Sequence, residues 1–399
     1  MTAWLDVVGI GEDGVEGLTP AARAVVEAAE VIVGGDRHHR LAPSVTAKRV
    51  AWPSPFRAVI ELLESHRGKR LVVLATGDPL WFSVGARIVR ALGPEAVEFH
   101  PQISAFQLAA CRMGWSLADV ETLTVHGRPA EQAVPFLAPG ARLLLLTTGA
   151  ETPARIGALL AERGYGESRM TVFSAMGGPR EERFEGRAEG WSTEVPAFNT
   201  MAVECVAGPE ALIQSRVPGL PDSAFEHDGQ LTKREVRALT LAKLMPTRGA
   251  LLWDIGCGCG SVAIEWMRAA PDALAIGLEP DAGRRALAAR NALRLGAPRL
   301  DPRDGRAPEG LSGLPAPDAV FIGGGLSLEV AEQALAALKR FGRLVCNAVT
   351  VESESVLYNL YMTYGGEIAR IGVERAAPLG GHLGWQPARA VTQWSLVKR

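Results

Sequence analysis

Three glycines at alternate positions, Gly256, Gly258 and Gly260, constrain this chain more than any other stretch. Before them lies Leu251-Leu252-Trp253-Asp254-Ile255, mostly bulky and apolar and carrying an acid near its end; after them comes the apolar helical run Ser261 to Met267. The combination predicts a buried parallel strand, a tight turn and the start of a helix. Glycine is needed because the turn is sharp and a ligand has to approach the backbone closely. A second acid, Glu279, closes the next apolar run, Ala273 to Leu278. That distance suits a carboxylate accepting hydrogen bonds from a ribose. The C-terminal half therefore reads as a doubly wound α/β domain for a nucleotide-type cofactor.

Nicotinamide cofactors carry a pyrophosphate, which favours the G-x-G-x-x-G spacing. Here the order is Asp254-Ile255-Gly256-x-Gly258-x-Gly260, with the acid ahead of the first glycine. S-adenosylmethionine (SAM) has no phosphate, its methionine portion carries an ammonium and its sulfur is a cation. An acid at the strand end beside a bare backbone turn suits SAM better than NAD. The order resembles the first motif of class I methyltransferases.

The 399 residues suffice for two domains, each with its own core. A net charge of −2 gives no basic excess for nucleic acid or a membrane surface. The start, Met1-Thr2-Ala3-Trp4-Leu5-Asp6, lacks a basic n-region and a long apolar run, so no signal peptide is expected. No apolar stretch is long enough to span a membrane. Five cysteines, an odd number, point to reduced thiols in a cytoplasm. Cys257-x-Cys259 has no second ligand pair, and His38, His39 and His126 lack a ligand set, so no metal is expected.

Read in order, the chain alternates strand and helix from Trp4 to Arg163, then turns β-rich and antiparallel from Met170 to Val206. Pro218-Gly219-Leu220-Pro221-Asp222 marks a linker, giving domains at 1–214 and 229–399 joined by 215–228. Thr232-Lys233-Arg234-Glu235 reads as a capping box opening a helix, with Val236, Leu239 and Leu244 on one face. Alternating elements follow to Tyr364, and Glu367–Val373 and Ala390–Val397 read as closing strands. Ala376 to Pro387 reads as a Gly/Pro-rich loop that could serve as a lid.

Several segments together carry a specific resemblance. In the N-terminal half they are Val8-Gly9-Ile10-Gly11, Val33-Gly34-Gly35-Asp36-Arg37, Thr76-Gly77-Asp78-Pro79, Pro101 to Phe106 and His126-Gly127-Arg128. In the C-terminal half they are Asp228 to Glu235, the glycine turn, Phe321-Ile322-Gly323-Gly324-Gly325 and Asn347 to Glu352. Over essentially its whole length the chain resembles the precorrin-6Y C-methyltransferase (decarboxylating) family of cobalamin biosynthesis. The resemblance implies a two-lobed tetrapyrrole methylase fold (class III) followed by a class I Rossmann-like methyltransferase fold. It implies methylation of one macrocycle at carbons 5 and 15 with loss of carbon dioxide from the ring C acetate, giving precorrin-8X.

By resemblance the C-terminal SAM site takes Thr232, Asp254, Gly256, Cys257, Gly258, Cys259, Gly260, Glu279 and Ala307. The N-terminal SAM site takes Thr76, Gly77, Asp78, Trp81, Ser104 and Ala105. For the polycarboxylate substrate and its chemistry the expected residues are Asn347, Glu352, Arg375 and His382. The family often has an acid before the Gly-Gly-Pro turn, where this chain has Ala175-Met176-Gly177. The resemblance also implies a homo-oligomer. Two competing readings are a nicotinamide-dependent oxidoreductase on the same wound sheet and a non-catalytic tetrapyrrole-binding protein.

Overall fold

The computed structural model describes residues 3–399, so the first two residues of the stretch read for a signal peptide lie outside it. The chain divides into two compact units, one of residues 1–130 and 138–212, the other of 131–137 and 213–399.

The first unit opens with β1 (Leu5–Ile10), α1 (Pro20–Glu27), β2 (Val31–Gly34), α2 (Asp36–Leu41), β3 (Lys48–Ala51), α3 (Val59–Glu64), β4 (Leu71–Thr76), α4 (Gly85–Leu92) and β5 (Val97–His100). These strands form a parallel sheet in the order β3-β2-β4-β1-β5. Thr19 opens α1 by accepting from Ala22 N–H, with Pro20 in the first turn, as the Thr-Pro pair predicts. A second lobe follows with α5 (Ala105–Met113), β6 (Glu121–Thr124), β7 (Arg142–Leu146), α6 (Thr152–Glu162), β8 (Arg169–Ser174), β9 (Glu182–Arg187) and β10 (Asn199–Glu204). Its sheet, β6-β7-β10-β8-β9, pairs antiparallel everywhere except β6 with β7.

The second unit comprises α7 (Arg234–Leu244), β11 (Leu251–Ile255), α8 (Ser261–Ala269), β12 (Leu274–Leu278), α9 (Ala282–Arg294), β13 (Asp301–Arg303), β14 (Ala319–Ile322), α10 (Leu328–Ala337), β15 (Arg343–Ala348), α11 (Val351–Tyr364), β16 (Glu367–Ile371), β17 (Glu374–Leu379), β18 (His382–Pro387) and β19 (Val391–Val397). Its seven-stranded sheet runs β13-β12-β11-β14-β15-β19-β16, parallel up to β15 and antiparallel at β19. The near-continuous apolar run of β11 has a physical cause. Leu252 packs with Val262, Trp266 and Phe321 on one face, and Trp253 and Ile255 with Val320, Leu344 and Trp394 on the other. A strand covered on both faces has no room for alternation. The order reverses beside β11, and such a switch point leaves a crevice at the strands' carboxyl ends.

Three details differ from the sequence reading. The stretch 215–228 packs onto the second unit: Leu220 and Phe225 are buried in its core, and Gly219 and Leu220 N–H donate to Glu265. Residues 376–387 are not a loop but most of the β17–β18 hairpin, whose Leu379, Leu383 and Trp385 stay exposed. Helix α7 has Lys233 at its cap with no side-chain capping bond, and Leu239 is exposed. The capping box fails because the Glu235 carboxylate is engaged elsewhere, accepting from Arg375 at 2.5 Å.

Candidate active site

A cavity of about 870 Å³ opens at the carboxyl ends of β11, β12 and β14. Its floor is the glycine turn. Gly256 has φ +74°, and a Cβ there would lie 2.7 Å from the Gly324 backbone nitrogen, so only glycine fits. At Gly258 an added Cβ would meet nothing nearer than the Gln230 carbonyl oxygen at 3.9 Å, which leaves bare backbone facing the cavity. Gly260 serves packing instead: a Cβ there would press on Ala288, Ile264 and Leu300.

Asp254 and Glu279 stand under this turn, 1% and 4% exposed. Asp254 Oδ2 accepts from Ala263 N–H at 3.1 Å, while Oδ1 has no hydrogen-bond partner. Burial pushes the Asp254 carboxyl up to about 7, against the lowering effects of the Ala263 N–H and of the neighbouring Cys257 thiol. Glu279 Oε2 accepts from Gly258 N–H at 2.9 Å and Oε1 from Asp281 N–H at 3.1 Å. Each oxygen keeps a lone pair for a further donor. An orphaned buried carboxylate oxygen, a bare turn and a second acid fit the ammonium and the ribose of SAM.

Of the residues expected there, Thr232, Asp254, Gly256, Cys257, Gly258, Glu279, Ala307, Asn347 and Arg375 line the cavity. Cys259 and Gly260 do not; Cys259 points into the core, and burial raises its thiol as it does that of Cys257. The Asn347 amide is committed on both sides, donating to Thr240 Oγ1 and accepting from Gln393 Nε2. Glu352 lies exposed in the first turn of α11 beside Thr350, and His382 lies exposed at the turn end of β18 opposite Leu379. Neither lines the cavity.

In the first unit, Thr76, Gly77 and Ala105 line a cleft of about 40 Å³ together with Glu12, Arg37, Ala175 and Phe198. Arg37 Nε donates to Glu12 at 2.7 Å and a terminal nitrogen to Thr76 Oγ1 at 3.1 Å, with the guanidinium 4.0 Å from the Phe198 ring centre. Asp78 accepts from Leu80 N–H in a local turn, Trp81 packs on Phe106, and Ser104 and Gln107 form the capping box of α5. Ala175, ahead of the Gly177-Gly178-Pro179 turn, sits at φ +48°.

Residues 5–190 match the tetrapyrrole (corrin/porphyrin) methylases, and residues 223–398 the precorrin methyltransferase domain. The chain is 46% identical to a Sinorhizobium sp protein named precorrin-6Y C(5,15)-methyltransferase (decarboxylating), over 100% of this chain and 97% of that one. The chain belongs to the precorrin-6Y C(5,15)-methyltransferase (decarboxylating) family. A Mycobacterium tuberculosis (strain ATCC 25618 / H37Rv) relative of the same name is 39% identical over 98% of this chain and 99% of its own. The crystal structure of the C-terminal domain of precorrin-6Y C5,15-methyltransferase from Rhodobacter capsulatus is 47% identical, covers 46% of this chain and 100% of that one, and gives a TM-score of 0.45.

Arg37 and Glu12 carry no signal of their own in the sequence, although Gly34-Gly35-Asp36-Arg37 is one of the segments that carry the resemblance. The same holds for Lys233, Arg284, Arg306 and Arg389, which line the large cavity. They lie in loops or at helix starts, where hydrophobic periodicity carries no signal.

Proposed function

We propose that the chain is a SAM-dependent methyltransferase that methylates precorrin-6Y at carbons 5 and 15 and removes carbon dioxide from its ring C acetate, giving precorrin-8X. The observation that supports this most is the second unit's cavity, with Gly258 bare, Asp254 half-satisfied and Glu279 bracing the turn. SAM, when bound, supplies a methyl carbon made electrophilic by its sulfonium. Asp254 and Glu279 would hold its ammonium and ribose, and Thr232, Cys257 and Ala307 would wall it in. Loss of carbon dioxide leaves an electron pair that the conjugated imine nitrogens of the macrocycle accept. The ring carbon so enriched is the nucleophile. The protein's part is to align two carbons and keep water out. Asn347, pinned through both amide atoms, offers a rigid wall for that alignment, and Arg375 a cation.

In this reading the second unit decarboxylates and methylates carbon 15, and the first methylates carbon 5. Among the described residues no helix is long and apolar enough to cross a membrane. The five cysteines are unpaired, in keeping with a cytoplasmic site of action. A homo-oligomer belongs to the same reading; Val351, Tyr358 and Met362 leave apolar surface exposed on α11.

The test is turnover by the full chain with precorrin-6Y and SAM, followed by mass spectrometry. The expected product gains two CH2 units and loses one CO2. Thermal stabilisation by NAD alone, with none by S-adenosylhomocysteine (SAH), defeats the reading.

A further inference from the structure

Apart from Glu235, which lines the cavity paired with Arg375, the charges around the large cavity are sorted by sign. The acids Asp254 and Glu279 are buried beneath the glycine turn. Cations line the cavity nearer solvent: Lys233, Arg284, Arg306, Arg375 and Arg389. Two of them are already neutralised, Arg284 by Asp228 at 2.8 Å and Arg375 by Glu235 at 2.5 Å. The side chains of Lys233, Arg306 and Arg389 have no hydrogen-bonding or ionic partner among the described residues. All three are exposed while lining the cavity, which places them at its mouth. They come from separate segments: the cap of α7, the loop after β13 and the link from β18 to β19. Three uncompensated cations converging on one opening repel each other unless an anion joins them.

We propose that Lys233, Arg306 and Arg389 form a carboxylate-binding rim that grips the peripheral acetates and propionates of the tetrapyrrole and sets which ring carbon faces the floor. This rests on the functional reading above. Guanidinium groups match carboxylates in a two-point fork, and the ammonium of Lys233 adds a point charge. The opposite placement is disfavoured, because a polyanion on the floor would meet Asp254 and Glu279. A cationic cofactor below and a polyanionic ring above is the arrangement that this polarity selects. Arg375, neutralised by Glu235, contributes less to the grip than its position in the cavity wall suggests.

The test measures carbon dioxide release, which reports the second unit alone, in full-length K233A, R306A, R389A and the triple variant. Each single change is expected to raise KM for the tetrapyrrole about tenfold and the triple change a hundredfold or more, about the worth of one charge-assisted bond apiece. R306K is expected to recover part of the loss. The thermal shift given by SAH is expected to stay near the wild-type value, since Asp254 and Glu279, the acids assigned to the cofactor, are unchanged in these variants. A substrate analogue with amidated side chains is expected to lose its disadvantage in the triple variant. Normal wild-type turnover with an unchanged tetrapyrrole KM in the triple variant overturns this proposal alone. A wild-type chain that binds SAH but turns over no tetrapyrrole overturns the functional reading, and the rim with it.

Discussion

Glu279 Oε2 accepts the backbone N–H of Gly258 at 2.9 Å, so the acid at the end of β12 fixes the turn at the end of β11. One carboxylate thus both shapes the bare turn and faces the cavity. Replacing Glu279 by alanine removes both functions and is expected to weaken SAH binding about 30-fold, or about 2 kcal/mol, the worth of one to two charge-assisted hydrogen bonds. Glu279→Gln keeps an acceptor for Gly258 N–H and is expected to lose less. Titration calorimetry on the full chain decides; equal affinity in wild type and Glu279→Ala rules the role out.

Asp254 gives the second unit a pH signature. Its ordinary value is 3.8, and burial raises the folded-state value to about 7. The folded chain therefore holds the proton more tightly than the unfolded chain. The stability this confers is fully present below about pH 4 and is lost as pH rises through about 7. Asp254→Asn keeps an acceptor for Ala263 N–H but cannot ionise. The difference in Tm between Asp254→Asn and wild type is expected to grow in favour of the variant from pH 4 to pH 7.5. A difference that stays flat over that range contradicts the buried, half-satisfied carboxyl. Saturating SAH is expected to shrink it, because a bound ammonium favours the ionised form.

What the sequence discloses depends on how local the cause is. The path from β11 through the turn to α8 was legible because burial on both faces writes an uninterrupted apolar run. The β17–β18 hairpin was not: Pro378, Gly380, Gly381, Gly384 and Pro387 imitate a loop, and its exposed faces impose no alternation. The Thr232–Glu235 capping box had the right letters, but Glu235 pairs with Arg375, 140 residues away. No local pattern reports such a competitor. The glycine motif reads as one unit, yet Gly258 faces the cavity while Cys259 and Gly260 turn into the core. Pairing and non-pairing of the rim cations is likewise invisible until the loops are in place.

The glycines of the turn separate stability from binding. Gly256→Ala drives a Cβ to 2.7 Å from the Gly324 backbone and forces a positive φ on a side chain. It is expected to destabilise the second unit by about 3 kcal/mol. Gly258→Ala meets no atom inside 3.9 Å, so its cost is the positive φ alone, about 1 kcal/mol. Its methyl group, however, stands in the cavity. Gly258→Ala is expected to keep a near-normal melting curve while losing tenfold or more in SAH affinity. A melting curve as damaged as that of Gly256→Ala, with SAH affinity intact, contradicts the assignment of Gly258 to the ligand side.

Arg237, with no side-chain exposure, ties the approach to this site together. Its Nε donates to Glu265 at 2.7 Å, one terminal nitrogen to Asp222 and the Thr232 carbonyl, and the other to the Leu220 carbonyl. Glu265 in turn accepts from the N–H groups of Gly219 and Leu220. Arg237→Met leaves the Glu265 charge buried without its cation, at a cost of about 3–5 kcal/mol. Adding Glu265→Gln removes that charge while keeping an acceptor for one of the two backbone N–H groups. The double variant is therefore expected to recover part of the loss in urea unfolding of the full chain, but not all of it. The remaining defect is expected at the cavity wall, because the Thr232 carbonyl is no longer held, and a raised KM for SAM with little change in kcat is its readout. Full recovery of both stability and KM in the double variant would show that Arg237 only neutralises Glu265.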